Sequence, residues 1–201
     1  MVPILIPISG LPRSGKTSLA DELASFGITH IPLDRYIRTM PSGTSFLDWV
    51  ASPKCIDWSL FSRHLNELNA GRQIVAPADW GPTWGEGGQQ MGSGGSGRVR
   101  LMEPSDLGYS VPGCYAFNLP PQGRKVFRLF VSAPRRTIAE RALGRPVPDK
   151  KVESVLDKQL SSNWREIENY VESADMIVSG LERHEAQVQA VISAVNRVWR
   201  S

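Results

Sequence analysis

Hydrophobic and polar positions along the chain follow two different periods. Residues 2–8, "VPILIPI", form a short unbroken apolar run, the pattern of a strand covered on both faces. A glycine loop follows, and then helical spacing as far as about Phe26. "ITHIPLD" (28–34) predicts a second short strand ending on an acid. In "SLFSRHLNELNA" (59–70), Leu60, Phe61, His64, Leu65 and Leu68 recur at helical spacing. Gly71 stops that helix, and Asp57 stands where a cap belongs. "QIVAPAD" and "YSVPGCYAF" predict further strands, and "VFRLFVS" (126–132) is the clearest one. Helical spacing then covers about 135–143, 149–172 and 182–199, with "ADMIVS" (174–179) as a strand between the last two. Strands alternating with helices predict an α/β fold: three layers, with a mostly parallel sheet between helices. The expected organisation is one domain over 1–201.

One stretch has no period. Residues 80–104, "WGPTWGEGGQQMGSGGSGRVRLMEP", are rich in glycine and predict a mobile surface insert, the kind of long loop that carries function. Elsewhere the composition is that of a soluble globular protein, 41% hydrophobic and 21% charged. Cys55 and Cys114 lack metal-ligand spacing and read as reduced thiols, and His30, His64 and His184 are scattered. No apolar run approaches the roughly 18 residues of a membrane span, and the N-terminal run is too short for a leader or anchor. A cytoplasmic protein is expected. The net charge of +3 is compatible with anionic partners without requiring nucleic acid.

The sharpest chemical signal is Gly10-Leu-Pro-Arg-Ser-Gly15-Lys16-Thr17, a GxxxxGK[ST] pattern between an apolar strand and a helix. Glycines let backbone N–H groups turn toward phosphates, the lysine reaches the β and γ oxygens, and the threonine hydroxyl suits Mg²⁺. The start of the helix adds a positive dipole end. Gly10, Arg13, Ser14, Gly15, Lys16, Thr17 and Ser18 are therefore the expected ATP-binding set, with Mg²⁺ as the accompanying ion.

With that loop in place, "IPLDRY", "PKCIDWSLFSRHLNELNAGRQIVAPAD", "VPGCYAF" and "LDKQLSSNWREIENYVESADMIVSG" occur in the order seen in the uridine kinase branch of the P-loop kinases. That branch includes phosphoribulokinase and pantothenate kinase relatives. The chain resembles it over about 1–79 and 109–199. Three positions depart from the pattern. Pro112 precedes Gly113 where the family carries a glutamate. Ala51, in "ASP" (51–53), stands where the family has a ribose-holding acid, with Asp48 nearby. The aromatic and histidine that follow the family's base-binding loop have no counterpart in the insert. The ATP half of the resemblance is intact and the ribose half is altered.

Phosphoryl transfer needs alignment, charge neutralisation and a proton acceptor. The resemblance and its position make Asp34 the expected base and, with Thr17, a metal contact. "APRRTIAERALGRP" places Arg135, Arg136, Arg141 and Arg145 where the family closes an arginine-bearing lid. Arg141 and Arg145 fit that lid best and join Lys16 and Asp34 as the expected catalytic set. Tyr36, Asp79, Trp80, Trp84, Arg98 and Arg100 are the candidates for holding the acceptor, since aromatic and basic side chains stack bases and bind phosphates. Three functions are consistent with these residues. The first is an ATP-dependent kinase acting on an alcohol hydroxyl of a pyrimidine nucleoside-type molecule. The second is a phage-type kinase of 5-hydroxymethyluracil in DNA, and the third a nucleotide-binding switch or NTPase without an acceptor.

Overall fold

The computed structural model describes residues 3–78, 99–120, 123–160, 162–181 and 184–200. In chain order its regular elements begin with β1 (Ile4–Ser9), α1 (Lys16–Ala24), β2 (Ile28–His30), α2 (Phe46–Trp49) and α3 (Trp58–Asn69). Next come β3 (Ile74–Ala76), β4 (Arg100–Met102), β5 (Gly108–Pro112), β6 (Leu129–Ser132) and α4 (Arg135–Leu143). The chain continues through α5 (Val152–Gln159), α6 (Trp164–Asn169), β7 (Met176–Ser179) and α7 (His184–Arg200).

Five strands form a parallel sheet in the order β2-β5-β1-β6-β7. The unbroken apolar run of β1 is explained by its central place, because helices cover both faces. Ile4, Ile6 and Ile8 pack toward Leu19 and Leu23 of α1 and Val188, Val191 and Val195 of α7. Leu5 points the other way, into a cluster with Tyr109, Val111, Phe61 and Leu65 of α3, and Trp164 and Ile167 of α6. Successive strands lie to opposite sides of β1, so the chain parts at its C-terminal end. Ligands of open α/β sheets bind in that crevice, and the phosphate-loop pattern follows β1 directly.

The helix expected over 135–143 is α4, with the same bounds. Asp57 caps α3, accepting from the Leu60 N–H at 2.9 Å. Other expectations change. "QIVAPAD" yields only β3, which pairs antiparallel with β4 as a separate two-stranded ribbon instead of joining the parallel sheet. The strand β4 occupies part of the stretch expected to be irregular. The second strand stops at His30. Pro32 is extended, and Leu33–Tyr36 form a 3₁₀ turn, so Asp34 stands on a turn beyond the strand. The expected helix over 149–172 is broken where Leu160 adopts an extended backbone and buries its side chain. Among the described residues no helix is long and apolar enough to cross a membrane.

Candidate active site

The loop between β1 and α1 turns on Gly15, whose φ of 108° is costly for any residue with a side chain. No side chain caps α1 and its first turn holds no acid, so its leading N–H groups face outward. Those groups border a cleft of about 520 Å³ lined by Arg13, Gly15, Lys16, Thr17, Ser18, Arg141 and Gly180. Gly10 and Ser14, within the loop, are buried. The Ser14 hydroxyl has no hydrogen-bond partner there.

Two contacts set the loop's shape. Gly180, just after β7, donates its N–H to the Ser132 carbonyl at 2.7 Å. A Cβ at Gly180 would stand 1.8 Å from the Ser14 carbonyl oxygen, so only glycine lets the two backbones pass. Arg13 is the one described non-glycine residue with positive φ, 66°. Its guanidinium donates to the Arg141 carbonyl at 2.6 Å, while Arg141 donates to the carbonyls of Arg13 at 2.8 Å and Gly180 at 3.0 Å. The C-terminal end of α4 is thereby fastened over the phosphate loop. The Lys16 ammonium is nearly buried and donates to the Gly10 and Leu11 carbonyls at 3.0 and 2.7 Å.

A second cavity of about 420 Å³ shares Arg13, Lys16 and Thr17 with the first. Its walls come from Leu33, Asp34 and Ile37, from Phe46, Leu47 and Val50 in and after α2, and from Cys55 and Ile56. Cys114 and Tyr115 after β5, and Gln159 and Leu160 at the end of α5, complete it. Asp34 lines this space and is exposed to solvent there, although protein packs closely around its carboxyl. Desolvation raises its carboxyl above the usual carboxylate range, and the Lys16 ammonium partly opposes that rise. Burial pushes the Cys55 thiol up to about 12, and it also raises Cys114 despite the nearby Lys16. Both therefore remain neutral thiols, poor nucleophiles and poor metal ligands.

The structure thus brings Lys16, Thr17, Asp34, Arg13 and Arg141 to one seam between two cavities. Other candidates lie elsewhere. Tyr36 is 1% exposed, packs edge-on against Phe61 and hydrogen-bonds His64 at 3.1 Å, so it belongs to the core and does not stack a substrate. Arg100 borders a different, shallow cleft with His30 and Glu103. Arg145 lies just past the left-handed Gly144 and lines neither main cavity. Arg135 ion-pairs Glu153 and Glu168 at 3.0 and 2.6 Å and lies over the Trp164 ring, while Arg136 pairs with Glu140 and Asp149. Asp79, Trp80, Trp84 and Arg98 lie outside the described residues. Pro112 is buried on β5, and Asp48 is exposed and bonded to Ser45, so neither departure from the family pattern places an acid in the second cavity.

The sequence reading missed Gly180, Cys114, Tyr115, Phe46, Leu47, Val50 and Leu160. Only the glycine ending "ADMIVSG" gave any signal. The others are ordinary core-type residues whose shared cavity exists only after folding.

Thr17 and Asp34 are the groups suited to an ion beside bound phosphates. Among the described residues no three His, Cys, Asp or Glu side chains cluster as a metal site. Mg²⁺ at a phosphate loop needs no such cluster, because phosphate oxygens and waters complete its shell.

No protein-family model matches the chain, and none of the curated proteins matches it in sequence. Solved structures do match in fold. A provisionally assigned fructose transport system kinase from Silicibacter sp. TM1040 has a TM-score of 0.55 at 18% identity, covering 88% of this chain and 90% of that one. A possible uridine kinase from Bacillus stearothermophilus has a TM-score of 0.52 at 17% identity, covering 88% and 89%. An uncharacterized protein from Eubacterium ventriosum has a TM-score of 0.50 at 13% identity, covering 96% and 98%. At these identities the likeness is one of fold.

Proposed function

We propose that this chain is an ATP-dependent phosphotransferase that moves the γ-phosphate of ATP to an alcohol hydroxyl of a nucleoside-type small molecule. The observation that carries this reading is the seam described above: a phosphate-loop cleft and a second cavity meet at Arg13, Lys16 and Thr17, with Asp34 on the second side. The kinases among the fold neighbours support the same class. A switch or NTPase without an acceptor would leave the second cavity without a use.

In this reading the exposed N–H groups at the start of α1 and the Lys16 ammonium hold the triphosphate. Lys16 leaves one or both loop carbonyls to do so. Thr17 and Asp34 would hold Mg²⁺, which supplies charge neutralisation at the β and γ oxygens when bound. Arg141, already at the mouth of the cleft, meets the charge that develops on the transferred group. The Asp34 carboxylate accepts the proton of the acceptor hydroxyl, and desolvation makes it a stronger base than an ordinary aspartate.

The test is transfer of radiolabelled γ-phosphate to free nucleosides, hydroxymethylated nucleosides, and DNA with and without 5-hydroxymethyluracil. Label on a free pyrimidine nucleoside is expected. Label on hydroxymethylated DNA alone would move the acceptor into a polymer, and ATP hydrolysis with no labelled acceptor would favour the switch.

A further inference from the structure

The second cavity is chemically lopsided. Its charged groups crowd at the end shared with the phosphate loop: Asp34, Lys16 and Arg13. The rest of its described lining is uncharged, and Ile37, Leu47, Val50 and Leu160 give it an aliphatic surface. Among the described lining residues the two cations are both engaged with backbone, Lys16 on the Gly10 and Leu11 carbonyls and Arg13 on the Arg141 carbonyl. Both are also the cations a triphosphate would draw on. Among the described lining residues, what remains for an acceptor is neutral. Gln159 supplies an amide. The Tyr115 hydroxyl donates to the Val50 carbonyl at 2.6 Å and accepts from Asn163 at 2.7 Å. Those two bonds also tie Val50 and Asn163 together through Tyr115.

Resting on the kinase reading above, we propose that this pocket selects an uncharged acceptor, a hydroxyl on a body with an apolar face and with no carboxylate or phosphate of its own. An anionic group entering beyond the hydroxyl would lie against aliphatic side chains such as Ile37, Leu47 and Leu160, and among the described lining residues it would find no cation besides Arg13 and Lys16. Stranding an ion in apolar surroundings costs several kcal/mol even after relaxation. The discrimination lies in the side chains of Leu47, Val50 and their neighbours.

Matched acceptors that differ only in charge test this directly: pantothenol against pantothenate, glycerol against glycerate, and a nucleoside against its 3′-monophosphate. With γ-labelled ATP, the neutral member of each reactive pair should show kcat/KM higher by on the order of 10²-fold. Leu47→Lys should narrow that ratio by raising turnover of the anionic member, a gain that a merely damaged fold would not produce. An anionic member that matches or exceeds its neutral partner in the unaltered protein overturns the proposal. If no acceptor is phosphorylated at all, the kinase reading fails separately. Calorimetric binding of the same pairs to the protein saturated with a non-hydrolysable ATP analogue then decides the pocket's preference. Tighter binding of neutral members upholds it, whereas equal or tighter anion binding, or no neutral binding at millimolar concentration, overturns it.

Discussion

Arg13 and Arg141 hold each other through their backbones: each guanidinium donates to the other's carbonyl oxygen, at 2.6 and 2.8 Å, across 128 residues of sequence. This pair couples the strained turn of the phosphate loop to the end of α4. It also places two guanidinium groups at the mouth of the cleft without an acidic partner in those bonds.

Arg141→Ala should lower kcat by on the order of 10³-fold, within the span attributed to a transition-state arginine. Arg145→Ala should change kcat only a few-fold, because Arg145 lines neither cavity. Steady-state kinetics with ATP varied checks both, and a larger loss at Arg145 would reverse the assignment. Arg135→Ala should act on stability, since its guanidinium joins Glu153, Glu168 and Trp164.

Asp34→Asn should cost about 10²–10⁴ in turnover while sparing ATP affinity, the range for loss of a general base. The pH profile provides a second check. The raised carboxyl pKa moves the acidic limb of kcat/KM to higher pH than an ordinary aspartate would give, and the variant should lack that limb.

The same shift has a stability consequence. An acid whose folded pKa lies above its unfolded value favours the fold when protonated, and that contribution fades as pH rises through the folded pKa. Once ionised, Asp34 therefore disfavours the fold, so Asp34→Asn should gain in melting temperature over the parent as pH rises through that raised pKa. The difference should vanish in acid. Thermal melts across a pH series measure it, and a gap that does not widen with pH would contradict the desolvation account.

Lys16→Ala should abolish transfer with little change in circular dichroism, since the ammonium bonds loop carbonyls and would serve bound phosphate. Near-normal turnover would refute the phosphate-loop assignment.

Gly180→Ala should weaken ATP binding although residue 180 carries no functional group, because the added methyl must displace the Ser14 backbone. Overpacking of this kind costs about 1–3 kcal/mol, or several degrees in melting temperature. Gly43→Ala is the control. An added Cβ there meets nothing within 4 Å, and only the strain of its φ of 81° remains. Equal ATP affinity in the two variants would show that the Ser14 contact does not shape the loop.

How much of this was legible in the sequence depended on how local each signal is. The strand-loop-helix around Lys16 and the capped helix at Asp57 are written in contiguous residues, and both appear in the structure. So does α4. Tyr36 and Arg100 show the opposite case. A tyrosine two residues beyond an acid reads equally as a stacking ring or as core, and only the packing of Phe61 and His64 around it decides. Arg100 reads as part of a mobile basic loop, but strand pairing with Ala76 carries it elsewhere. The second cavity was least legible because its walls come from α2, the turn after β5 and the end of α5, short pieces with no shared motif. The break at Leu160 was hidden for a related reason. Its extended backbone is favoured by burying its side chain in the core, a tertiary gain that helical periodicity cannot report.

The pairing of Ala76 with Arg100 also makes this protein modular. The chain departs and returns at directly opposed residues of a ribbon outside the parallel sheet. The ends of whatever lies between are thus closed in advance. Doubling the length of such an insertion adds only about 0.6 kcal/mol of closure entropy. A change of length between Ala76 and Arg100 therefore costs little closure entropy, while the phosphate loop and its arginine clasp lie on other elements.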